Sequence, residues 1–289
     1  MSSHQTWLQQ GEQAGLQYRF VPPRRALRGL AGFHAGSQRG VSLDFSDYRE
    51  YHPGDDVRSL DWNVYARTDR LVVKLYHEEV SPHVDIVLDA SRSMTLEETK
   101  PQALLGLGAL LAAAAAGGDC SWNAFSLGDR LAPLERGRDV PSLWGGMEFT
   151  AQGNPGAQLE TGGAFKRLGV RVLVSDLLWE AEPLAVLRRF SEGASGVIVV
   201  QLLSQADTTP PEHGKYWLDD VETGASMEVF VDTDAQRRYR RALEAHTQLW
   251  AEACRQTGAV HCQLIAEELL DGWPLEPLLR AGILEMQPC

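Results

Sequence analysis

The chain has 289 residues, 44% of them hydrophobic and 23% charged, which is enough for one large domain and a smaller one and excludes global disorder. A formal net charge of −12 sets the chain against phosphate backbones and anionic membrane surfaces, so neither nucleic acid nor a bilayer is expected as a partner. The four cysteines, Cys120, Cys254, Cys262 and Cys289, are far apart and form no C-x-x-C pair; reduced thiols are expected rather than a zinc site or a disulfide scaffold.

Taken in chain order, the N-terminal residues lack a basic segment followed by an apolar one, so no signal peptide is expected and the cytoplasm is the expected location. Residues 1–80 are rich in Arg, Gly, Asp and aromatics, and they predict a small β-rich or irregular region. Turn formers at Pro53-Gly54-Asp55-Asp56 separate short alternating runs, and residues 71–76 alternate as a strand does. From residue 81 to 289 the pattern becomes α/β. Residues 83–88 read as a buried strand, and 102–116 as an Ala/Leu-rich helix closed by Gly117-Gly118. The apolar run within that helix is too short to span a bilayer, so no membrane insertion is expected.

Further strands are predicted at 121–125 and 172–175, with a short piece at 130–136, the end of a helix at 162–168 and a helix near 183–193. Residues 196–203 form another buried strand. Two alternating runs within 215–231, around Glu222-Thr223-Gly224, predict an inserted hairpin. A long charged helix follows over 233–257, with Tyr239, Leu243, Leu249 and Trp250 available for its buried stripe. A last strand at 260–266 and a last helix at 268–281 complete the pattern. Strands alternating with helices predict a Rossmann-like, mostly parallel sheet with helices on both faces.

One segment carries chemistry. The strand Val84-Asp85-Ile86-Val87-Leu88 runs into Asp89-Ala90-Ser91-Arg92-Ser93, a D-x-S-x-S pattern at a strand's carboxyl end, where open α/β sheets bind ligands. One carboxylate and two hydroxyls within five residues are hard oxygen donors suited to Mg²⁺, with Mn²⁺ or Ca²⁺ as substitutes. Val174-Ser175-Asp176 ends a second strand the same way, so Asp176 is expected to support the ion directly or through water. The same pattern is also what an ordinary turn with a helix N-cap produces.

These strand ends resemble the metal-ion-dependent adhesion site of von Willebrand factor A domains. Upstream, Ser42 to Tyr51, then Pro53-Gly54-Asp55-Asp56-Val57-Arg58, Leu60-Asp61-Trp62 and Ala66-Arg67, resemble the signature block of the family catalogued as domain of unknown function 58. The resemblance covers roughly residues 25–205. It implies a bacterial protein with an A-like fold, a metal site at Asp89, Ser91, Ser93 and Asp176, and a MoxR-type AAA+ ATPase as usual associate. It does not imply an enzyme. An adhesion site of this kind normally takes a threonine from an intermediate loop; the matching segment Gly156-Ala157-Gln158-Leu159 puts Ala157 there, with Thr150 and Thr161 nearby.

The block at 42–67 has two readings of its own: a buried ion-pair network using Asp47, Arg49, Asp55, Asp56, Arg58, Asp61 and Arg67, or a partner-binding surface. No G-x-S-x-G elbow, P-loop or G-x-G-x-x-G is present. The arginines at 24, 25, 28 and 39 read as a solvated or salt-bridged face. Two functions therefore stand: a non-enzymatic adaptor acting with the ATPase on an unknown client, and a Mg²⁺-dependent phosphatase-like hydrolase using Asp89.

Overall fold

The computed structural model of the chain describes residues 3–23, 43–52, 55, 60–78, 82–151, 154–159, 165–219 and 225–287. The chain divides into two compact units, one gathering residues 1–27 with 82–289, the other comprising residues 28–81.

The first unit begins with helix α1 (Ser3–Gly15) and strand β1 (Tyr18–Phe20). The sequence reading assigned no helix here; its signal is a narrow stripe of Leu8, Gly11 and Gly15. Gly11 permits close backbone approach, because a Cβ there would lie 1.9 Å from the Gly106 carbonyl oxygen of the helix beneath.

The second unit contains strand β2 (Leu43–Glu50), helix α2 (Trp62–Thr68) and strand β3 (Val72–Glu78). Strands β2 and β3 pair antiparallel, with an irregularity between Phe45 and Asp47. Asp61 caps α2 by accepting from the Asn63 and Val64 amides, and it also accepts the Tyr48 hydroxyl at 3.0 Å. Arg49 and Asp55 pair at 2.9 Å with substantial exposure, and Trp62 is 60% exposed. Where its side chains are described, the block is thus a capped turn with a solvent-facing ion pair: Asp61 is buried, while Arg49, Glu50 and Arg67 are exposed. Residues 53–54 and 56–59 of the block, and arginines 24, 25, 28 and 39, lie outside the described residues.

In the remainder of the first unit, strand β4 (His83–Asp89) leads through a 3₁₀ turn (Arg92–Thr95) to helix α3 (Thr99–Gly117). Strands β5 (Ser121–Leu127) and β6 (Leu131–Pro133) and helix α4 (Pro155–Gln158) follow. Next come β7 (Val170–Ser175), α5 (Pro183–Phe190), β8 (Gly196–Leu203) and α6 (Gln205–Thr208). Strands β9 (Gly214–Asp219) and β10 (Ser226–Val231) form the expected antiparallel hairpin, and α7 (Thr233–Thr257), β11 (Val260–Ile265), α8 (Ala266–Leu270), α9 (Glu276–Arg280) and β12 (Leu284–Met286) close the chain.

The central sheet has six strands in the order β11-β8-β7-β4-β5-β6, parallel except for β6 against β5. Alternate residues feed two cores. Val84, Ile86, Leu88, Val172, Val174, Ile198 and Val200 join α3 and the C-terminal helices on one face. Val87, Leu173, Val197 and Val199 join α5 and α7 on the other. Both faces are covered, which is why these strands read as continuous apolar runs.

Three expectations are corrected. The last helix divides into α8 and α9, because Pro274 removes an amide and the residue before it avoids the helical region. The helix end expected at 162–168 is a turn where described, with Leu168 in the left-handed region. On α7 the buried residues are Trp250, Ala253 and Cys254; Tyr239 and Leu249 are 41% and 60% exposed. The cysteines at 120, 254 and 262 are buried and free, whereas Cys289 lies outside the described residues. Among the described residues no helix is long and apolar enough to cross a membrane.

Candidate functional site

The carboxyl ends of β4, β7 and β8 lie side by side in the parallel sheet, so the side chains that follow them converge. Asp89 ends β4 and is fully buried. Its Oδ1 accepts the Ser91 amide at 2.8 Å, and its Oδ2 accepts the Ser175 hydroxyl at 2.5 Å and the Trp179 indole N–H at 3.2 Å. Ser91 is fully buried too, and its hydroxyl shares a hydrogen bond of 2.9 Å with that of Ser93. An octahedral cation with bonds of about 2.0–2.1 Å needs neighbouring ligand oxygens about 2.9 Å apart, a spacing these hydroxyls have.

Asp176 is also fully buried, on the turn after β7. That turn is strained, since Leu177 holds φ at +61° without being glycine. The Ser175 hydroxyl braces it by accepting the Leu177 amide at 2.9 Å, while His246 of α7 hydrogen-bonds the Leu177 carbonyl at 2.7 Å. Asp176 is not linked directly to Asp89, Ser91 or Ser93 by any described hydrogen bond. Its Oδ1 accepts the Leu178 amide at 3.0 Å, and its Oδ2 lies 2.7 Å from the Lys100 ammonium. Lys100 also reaches Asp207 at 3.1 Å.

The electrostatics follow from burial. Loss of hydration and the nearby charge of Asp176 push the Asp89 carboxyl up to about 6, although the hydrogen bonds from Ser175 and Ser91 oppose the rise. Burial works against the Lys100 ammonium, but the carboxylates of Asp176 and Asp207 outweigh it and leave its pKa above the ordinary value. The crevice therefore holds more buried carboxylate than Lys100 neutralises. A divalent cation on Asp89, Ser91 and Ser93 fits both this excess and the donor chemistry.

The segment that runs beside Ser91 is the one ending at Ala151. Ala151 bridges Ser91 in parallel fashion, its carbonyl accepting the Arg92 amide at 3.2 Å. Thr150 adjoins that bridge. Ala157 is exposed on α4, whose buried Gly156 packs so tightly on Trp179 that a Cβ would lie 2.4 Å from the ring. Thr161 lies outside the described residues.

Sequence reasoning missed Lys100, Ser175, Trp179 and Asp207. Signals existed for two of them. Lys100 is the single charged residue of an otherwise apolar helix, and Ser204 with Asp207 has the spacing of a capping box. Nothing in the linear pattern singled out Trp179.

The sequence profile described as "Protein of unknown function DUF58" matches residues 47–249. An uncharacterized protein of Mycobacterium tuberculosis (strain ATCC 25618 / H37Rv) is 26% identical over 244 residues, covering 80% of this chain and 77% of its own. An uncharacterized protein of Mycobacterium avium is 30% identical over 98 residues, covering 32% of this chain and 55% of its own. Among solved structures, the conserved hypothetical protein BatB from Bacteroides thetaiotaomicron superposes with a TM-score of 0.37 at 14% identity, covering 70% of this chain and 99% of that one. An aerotolerance-related membrane protein from Bacteroides fragilis gives a TM-score of 0.37 at 15% identity, covering 69% of this chain and 100% of that one. Likenesses this remote assign neither a fold family nor a function.

Proposed function

From the premise that this chain belongs to the DUF58 family, whose function is unknown, we propose that it is a non-enzymatic interaction module whose crevice binds Mg²⁺ and, through the ion, an acidic side chain of a partner. In this reading residues 81–289 form a von Willebrand factor A-like domain. Asp89, Ser91 and Ser93 hold the ion, and Asp176 supports it from behind, through water. The partner is a MoxR-type AAA+ ATPase acting in the cytoplasm on a client of unknown identity, as the resemblance of the 42–67 block implies.

One observation carries the reading. A fully buried carboxylate whose charge is incompletely compensated stands beside two hydroxyls at cis-ligand spacing, at the carboxyl end of a parallel strand. A bound Mg²⁺ would supply a positive centre for an incoming carboxylate. The protein's own part is to hold Asp89 ionised and oriented, through the donors of Ser91, Ser175 and Trp179.

The test is a pull-down from native lysate with wild type and Asp89→Ala, each in Mg²⁺ and in EDTA. Retention of an AAA+ ATPase or client only with Mg²⁺ and intact Asp89 supports the reading. Equal retention in all four arms overturns it. Phosphoester hydrolysis by the purified chain that is lost in Asp89→Asn would instead establish the enzymatic alternative.

A further inference from the structure

Lys100 is the only charged residue of α3 and stands on its first turn, just before Pro101. Its side chain is 1% exposed, and its ammonium lies 2.7 Å from Asp176 Oδ2 and 3.1 Å from Asp207 Oδ2. With Leu178 donating to Oδ1, Asp176 has an amide on one oxygen and an ammonium on the other, whereas Asp89 accepts from an amide, a hydroxyl and an indole, all neutral.

The frame around Lys100 is itself tied down. Asp207 accepts the Ser204 amide at 2.8 Å in a capping box, and its carbonyl accepts the Tyr239 hydroxyl of α7 at 2.7 Å. Glu267 of α8 accepts the Thr99 hydroxyl at 2.8 Å and the Gln205 amide at 2.9 Å, joining the starts of α3 and α6. Lys100 is therefore held between the ends of β7 and β8 from several sides, and it cannot swing away without leaving the buried Asp176 carboxylate without its cation.

We infer that Lys100 is a resident counter-cation that takes Asp176 out of the direct ligand set, so that the crevice offers a divalent ion two hydroxyls and one carboxylate, Asp89, whose described donors are all neutral. This rests on the cation reading of the crevice and deepens it. Ligand charge count sets how tightly a hard cation is held. With only Asp89 in direct contact, the ion is held weakly and keeps net positive charge, so an external carboxylate remains a favourable last ligand. Were Asp176 free, two carboxylates would bind the ion more tightly and leave less attraction for a partner. Lys100 thereby makes binding of ion and partner interdependent.

The experiment is calorimetric titration of the full chain with Mg²⁺ and with Mn²⁺, for wild type, Lys100→Gln and Lys100→Arg, alongside thermal unfolding with and without each ion. Lys100→Gln is expected to bind the ions at least about tenfold more tightly, about 1.4 kcal/mol, and to gain more thermal stability from them than wild type. Lys100→Arg keeps the charge and is expected to bind as wild type does. If Lys100→Gln does not fold in the absence of ion, the double variant Lys100→Gln/Asp207→Asn, which carries one less uncompensated charge, is read the same way. Unchanged affinity in Lys100→Gln, with wild type binding, overturns the role of Lys100 and leaves the cation reading standing. Binding by Lys100→Gln but not by wild type supports the role of Lys100 while overturning the cation reading for the native chain. Binding by neither overturns both.

Discussion

Asp89 makes the stability of this protein depend on pH in a direction opposite to that of most paired carboxylates. Its pKa rises from 3.8 when unfolded to about 6 when folded, because burial and the neighbouring Asp176 disfavour the charged form more than its hydrogen bonds favour it. The protonated carboxyl is thus the form the fold prefers. Its favourable contribution is fully present below about pH 3.8 and is lost as pH rises through about 6. The difference corresponds to about 3 kcal/mol, a large share of the 5–15 kcal/mol typical of a native domain. The assay is urea denaturation in EDTA between pH 4 and 8, for wild type and Asp89→Asn in parallel. The amide does not titrate, so the loss of a donor partner in the variant is a constant offset and only the slopes are compared. Wild type should lose about 2.4 kcal/mol relative to the variant across this range, the rest of the difference lying below pH 4. Saturating Mg²⁺ at pH 7.5 should then restore stability to wild type alone, by about 2.7 kcal/mol at a hundred times the dissociation constant. Parallel pH profiles for the two proteins, or a wild type that gains on the variant as pH rises, would refute the charge excess on which the cation reading rests.

Three further outcomes follow from the packing. Ser175→Ala removes the hydroxyl that donates to Asp89 and accepts from both Leu177 and Trp179; about 1–3 kcal/mol should be lost in urea unfolding, together with a further rise of the Asp89 pKa detectable by carboxyl-resolved NMR titration. Gly11→Val places a branched side chain against the Gly106 carbonyl, so α1 should detach from α3, with faster amide exchange over Ser3–Gly15 and a lower melting temperature. Trp250→Ala, which empties a fully buried position against Trp179, should cost about 3–5 kcal/mol. Its neighbour Leu249, 60% exposed, should tolerate alanine within about 0.5 kcal/mol, and comparable losses at both positions would contradict the assigned face of α7.

The order of the strands from His83 to Ile265, and the longer helices α3, α5 and α7 between them, were legible in the linear chain, because strands buried on both faces must be apolar throughout; the short helices α4 and α6 were not. The D-x-S-x-S strand end was legible for the same reason: its residues are contiguous, and a strand terminus fixes where they fall. The N-terminal helix was not, since its partner α3 lies more than eighty residues away and its stripe is made of glycines that gain meaning only against Gly106 and Leu110. The site's electrostatics were beyond the linear pattern altogether. Asp89, Lys100, Asp176 and Asp207 come from four separate stretches of chain, and Coulomb interactions and desolvation depend on distances that only the packed sheet establishes. Tertiary structure alone decided that Asp176 faces a lysine rather than the hydroxyls of Ser91 and Ser93, and that Ala151 rather than Ala157 lies beside Ser91.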